Sequence, residues 1–300
     1  MNFEKVRTER QRSRHGGLYL RAIVILIAGN TLLAGGKGIL AFTTGSSAIF
    51  SDAANSLSDI FYSILLGIGL YLAQRPADES HPQGHIRFDP LASLFVALLM
   101  TGAGITAVYQ SILRFAGGIP TIELALPTLV LLGAALVKVG MFTVLNRTGN
   151  DARSPAIRAS AQDNLVDILT TLAALVGIWC AHYIHPLLDP TAGIAVAMWI
   201  FRTVWVVGKE NIGYLTGRGA SSEMIEEITQ KAYAVKGVKD VHRVIADYVG
   251  PQFRVEMHIT VDGAMTLDQA HKITEEVREK LEEVLDIDLV FIYVEPHREG

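Results

Sequence analysis

PLASLFVALLMTGAGITAVYQSILRF, residues 90–115, carries one formal charge, Arg114, in an otherwise uncharged run. A helix needs roughly 20 mainly apolar residues to cross about 30 Å of hydrocarbon, and this stretch is long enough. Five more apolar stretches lie around it, at approximately 18–44, 50–73, 122–145, 157–184 and 186–207. Beyond them the composition changes. Residues 1–208 carry 15 Lys/Arg and 12 Asp/Glu, whereas residues 209–300 carry 11 and 18. A sparsely charged part at +3 followed by a charge-rich part at −7 excludes one water-soluble domain of 300 residues. The reading is a membrane α-helical bundle with six transmembrane helices plus a cytoplasmic α+β C-terminal domain. Its parts are an N-terminal segment 1–17, the bundle 18–208 and the C-terminal domain 209–300.

Loop charge sets the expected orientation, because Lys and Arg near the spans stay on the cytoplasmic side. Lys5, Arg7, Arg10, Arg12 and Arg14 precede the first span. Arg75 and Arg87 lie in the second connection, Arg147 and Arg153 in the fourth, and Lys209 after the last span. The opposite connections offer at most Arg114. Both termini are therefore expected in the cytoplasm of a multi-pass protein of the cell membrane. The polar, basic start fits no cleavable signal. The acidic C-terminal part repels phosphates, so no nucleic-acid partner is expected. A single cysteine, Cys180, excludes an intramolecular disulfide framework and a Cys-rich metal cage.

The last 92 residues read as helix, strand, strand, helix, strand. Phe253, Val255, Met257, Ile259 and Val261 alternate with Arg254, Glu256, His258, Thr260 and Asp262, the period of a strand with one wet face. Thr266 and Gln269 have the spacing of a capping box and open the helix that follows.

Ionisable side chains inside membrane spans are expensive and point to function unless a partner explains them. In the second span Asn55 and Asp59 stand four residues apart on one helix face, and in the fifth Asp163 and Asp167 do the same. Two such helices facing each other offer four oxygen ligands to one cation. Asn55 also suits an interhelical hydrogen bond, and Asp163 a position at the cytoplasmic edge. Hydropathy puts Asp59 near the outer end of its span and the other two aspartates near the inner end, so spacing does not bring the pairs together. Lys37 and Lys138 interrupt spans as well, either paired internally or snorkelling. His182 and His185 suit an exposed outer end. Asp78, His81 and His85, within eight residues of the second connection, suit a first-row metal or simply a polar loop. His242, His258 and His271 fall on different elements of the C-terminal part, with Glu295 near its end.

GSSAIFSDAANSLSD, HPQGHIRFDPL, QDNLVD and a C-terminal αββαβ pattern ending in YVEP together resemble the cation diffusion facilitator family, over about residues 14–297. The resemblance implies a homodimer with six spans and a cytoplasmic ferredoxin-like domain. It also implies export of a divalent cation in exchange for protons, at a site joining helices 2 and 5. Asn55, Asp59, Asp163 and Asp167 occupy the four transport-site places. Zinc exporters of the family put a histidine at the first place of the helix 5 pair, where this chain has Asp163. An all-oxygen set favours hard, six-coordinate ions, Mn²⁺ first, with Fe²⁺ and Mg²⁺ as neighbours and Zn²⁺ less suited. Asp78, His81 and His85 match the family's loop site. His242, His258, His271 and Glu295 match ligand places of the cytoplasmic domain, but Tyr293 replaces a histidine there, which implies a weaker or single-ion site. No prosthetic group is expected, the metal being substrate and possible regulator.

Three rival readings differ in testable ways. A membrane-anchored sensor would bind metal without flux, and a passive channel would show no proton coupling. A membrane hydrolase would need an activated nucleophile, yet the spans hold no Ser-His or His-Glu pattern at suitable spacing.

Overall fold

A computed structural model of the chain describes residues 9–44, 47–117, 125–183, 185, 187–282 and 287–297. Side chains at 9–15, 41, 44, 47–55, 114, 117, 125–128, 174, 175, 177–183 and 189 lie outside that description. Residues 1–8, with Lys5 and Arg7, and the side chains of Arg10, Arg12, Arg14, Asn55, Arg114, Cys180 and His182 are therefore outside the description.

Six long helices come first: α1 (Glu9–Thr44), α2 (Ser47–Ala73), α3 (Phe88–Gly117), α4 (Ala125–Asp151), α5 (Pro155–Tyr183) and α6 (Leu188–Leu215). Among the described residues, five are apolar enough to cross a membrane, over Gly16–Leu40, Ser56–Ala73, Phe88–Leu113, Leu129–Asp151 and Pro190–Leu215. The remaining long helix, α5, has 29 residues, carries Arg158, Asp163 and Asp167, and packs against α3 and α4. The outer surface is apolar, with Leu136 74% and Trp205 72% exposed, which suits lipid contact and not water. Leu26, Leu66, Leu70, Met100, Leu145 and Ile200 fill the interior. At Gly69 a Cβ would stand 2.9 Å from that of Ala92, so glycine is what lets α2 approach α3 this closely.

The start of α5 is encoded locally. Ser154 accepts the Ile157 N–H at 3.2 Å as its N-cap, and Pro155 takes the first helical position, where its missing N–H costs nothing. Arg153, at φ 50, makes the turn out of α4. The helix thus extends the apolar run backwards only to Pro155, because the left-handed turn ends continuity with α4.

The chain divides into two compact units between Asn211 and Ile212. The second contains α7 (Ser222–Tyr233), β1 (Asp240–Val249), β2 (Gln252–Asp262), α8 (Leu267–Glu282) and β3 (Ile287–His297), the expected αββαβ order. The sheet runs β1-β2-β3, with β1 and β2 antiparallel and β2 and β3 parallel across α8. Phe253, Val255, Met257, Ile259 and Val261 are all buried, with Ile228 of α7 and Val277 and Leu281 of α8 in the same core. The capping box forms: Thr266 N–H donates to Gln269 Oε1 at 2.9 Å and Gln269 N–H to Thr266 Oγ1 at 3.4 Å.

Candidate metal transport site

Inside the bundle the polar side chains converge on Lys138 of α4, whose side chain is only 10% exposed. Its ammonium lies 2.7 Å from Asp167 Oδ2 on α5 and 3.4 Å from Asp59 Oδ2 on α2. The helices that hydropathy left at different depths thus offer carboxylates to one cationic group. Asp163 lies one turn before Asp167 on α5 and is partly buried. The side chain of Asn55, the remaining expected ligand, is outside the described residues.

The backbone at Asp59 is pinned to α1. Buried Asn30 donates to Ser63 Oγ at 2.7 Å and to the Asp59 carbonyl at 3.4 Å, while the Ser63 hydroxyl donates to the same carbonyl at 2.8 Å. The frame around α5 depends on Asp89, which is fully buried at the start of α3. It accepts the Tyr19 hydroxyl at 2.6 Å and the Ala156 N–H at 2.8 Å, so one carboxyl ties α1 and α3 to the first turn of α5. Sequence reading gave Lys138 no role and passed over Asn30 and Asp89. The available signal was a lone lysine in an apolar helix, which requires a counter-ion.

The second connection does assemble. Asp78, His81 and His85 bring one ligand atom each within 4.8 Å of the others. His85 Nδ1 donates to the Pro76 carbonyl at 3.0 Å, which fixes the ring so that Nε2 stands 3.4 Å from Asp78 Oδ2. The Ser80 hydroxyl and the His81 N–H hold the Asp78 carboxyl down at about 2, so it is an anion throughout the physiological range.

On the sheet, the register places His242 opposite His258 and His258 beside Tyr293. Glu295 joins them, 2.8 Å from His258 Nδ1 and 3.4 Å from His242 Nε2. The hydrogen bond from His258 lowers the Glu295 carboxyl below the usual carboxylate range. His271 is not brought to this cluster. It is exposed on α8, whereas Met257 and Ile259 turn to the buried, helix-covered face and leave His258 on the opposite one. Tyr293 stacks on His258 with ring centroids 4.9 Å apart.

A lipid-facing bundle that holds carboxylates from two helices around one internal ammonium describes a membrane carrier of cations. The cation efflux transmembrane domain matches residues 23–216, and the cytoplasmic domain of cation efflux proteins matches residues 220–297. The chain belongs to the cation efflux family, also called cation diffusion facilitators, and is a metal efflux transporter, not an enzyme. It is 30% identical to the uncharacterized transporter MJ0449 of Methanocaldococcus jannaschii, over 92% of this chain and 97% of that one. Two manganese efflux system proteins of Bacillus subtilis are also similar. MneS is 26% identical over 91% of this chain and 94% of its own, and MneP 27% over 93% and 96%.

Proposed function

We propose that this chain is a homodimeric exporter of Mn²⁺ from the cytoplasm in exchange for protons, in the cell membrane with both termini cytoplasmic. The observation that carries the reading is the gathering of Asp59 and Asp167 around one point, with Asp163 a turn away and Asn55 a turn from Asp59. This set has only oxygen donors, which suits a hard octahedral ion better than zinc. The names of the Bacillus relatives support the same choice. Facing the cytoplasm, ionised aspartates bind the cation; facing out, protons weaken the ligands and release it. With no histidine in the set, the aspartates themselves exchange the protons.

Asp78, His81 and His85 form a second metal site in the loop. His242, His258 and Glu295 form a third, regulatory one, which Tyr293 and the distance of His271 keep weaker than a full histidine set.

The decisive experiment is metal competition in proteoliposomes among Mn²⁺, Fe²⁺, Zn²⁺ and Mg²⁺ under an imposed pH gradient. Mn²⁺ should compete best, and transport should follow the gradient. Asp163→Ala should weaken competition by Mn²⁺. Asp163→His, which adds a nitrogen donor, should move selectivity toward Zn²⁺ by about tenfold, equivalent to about 1.4 kcal/mol. Unchanged selectivity in that variant, or indifference to the gradient, would contradict the metal assignment or the antiport assignment respectively.

A further inference from the structure

We infer that Lys138 is a tethered competitor of the transported cation: its ammonium occupies the ion's place between α2 and α5 and must be expelled for the ion to bind. The inference rests on the site proposed above and concerns a residue outside that ligand set. Lys138 Nζ reaches Asp167 Oδ2 at 2.7 Å and Asp59 Oδ2 at 3.4 Å, on two different helices. A small divalent cation sits about 2.0–2.2 Å from each ligand oxygen. A cation bound to Asp167 Oδ2 at that distance would stand within about 5 Å of Nζ, so the two positive centres repel and compete for the same carboxylates. Binding is therefore an exchange in which the ion enters, the ammonium leaves the two oxygens, and no bond beyond coordination is made.

The chemistry suits the role. An ammonium is a compact charge on a flexible four-carbon stem, able to swing away without disturbing α4. While it is in place it balances carboxylates that would otherwise repel across α2 and α5. By competing for the same carboxylates it speeds release of the ion, lowering affinity for it and raising turnover.

A purely structural lysine predicts the opposite sign. If Lys138 only glued the helices together, its loss would loosen the site and weaken the ion. The test is calorimetric Mn²⁺ titration of the detergent-purified full chain, reading only the binding step that Asp167→Ala removes. Lys138→Met should bind at that step at least tenfold more tightly, while in proteoliposomes KM and kcat both fall. Lys138→Arg, which keeps the charge, should return Kd to within about threefold of the wild type. The wild type supplies a measurement that needs no variant: acetylation of Lys138, followed by peptide mass spectrometry, should rise several-fold on saturation with Mn²⁺. Equal or weaker binding by Lys138→Met, or acetylation that Mn²⁺ leaves unchanged or reduces, overturns the inference. If Asp167→Ala removes no binding step, the site assignment itself is what fails.

Discussion

Asp167→Asn is expected to cut metal transport by more than about 100-fold while costing only about 1 kcal/mol of stability. Loss of an outer-shell partner alone typically reduces metal affinity 10–100-fold, and Asp167 is proposed as a direct ligand. Its replacement also removes the shorter of the two ion pairs made by Lys138, at 2.7 Å, and leaves the one to Asp59 at 3.4 Å. Breaking a fully buried pair costs about 3–5 kcal/mol, but the Asp167 side chain is 40% exposed and Lys138 keeps a partner, so most of that figure is discounted. Proteoliposome flux and the melting temperature of the detergent-solubilised protein separate the two effects. A melting temperature that collapses in step with flux would reduce Asp167 to a structural residue.

Asp89→Ala should have the reverse profile. Asp89 is 0% exposed and accepts the Tyr19 hydroxyl at 2.6 Å and the Ala156 N–H at 2.8 Å. Removing it takes one acceptor from the Tyr19 hydroxyl and the acceptor of a buried helix N-terminal N–H, the latter at about 1–3 kcal/mol. The melting temperature should drop by several degrees or more, and transport should fall because the first turn of α5 is no longer tied to α1 and α3. Tyr19→Phe removes one of the two bonds and should produce the smaller drop. Equal stability of Asp89→Ala and wild type would show that the carboxyl holds nothing together. Measured Mn²⁺ affinity in Asp89→Ala, compared with that in Asp167→Asn, distinguishes a residue that frames the site from one that contacts the ion.

Much of the second unit was legible because its signals are local. The alternation from Phe253 to Val261 became β2 with each predicted side chain buried, and Thr266 and Gln269 closed their capping box three residues apart. His271 shows the limit. It was grouped with His242 and His258 by family position, but the side of the sheet a helix covers is decided by packing, and α8 covers the side away from His258.

In the membrane unit, composition and run length by themselves determined the long apolar helices, and four-residue spacing determined that Asp163 and Asp167 share a face of α5. Only the tertiary structure decided that Asp59 and Asp167 meet at Lys138, and that Asp89 holds the N-terminus of α5. Those partners are 79 and 67 residues apart in the chain for Lys138 with Asp59 and Asp89 with Ala156. Periodicity reports which side chains share one helix face. Which face of another helix lies opposite, and at what depth, is set by how apolar surfaces and close approaches such as that of Gly69 to Ala92 pack across the whole bundle.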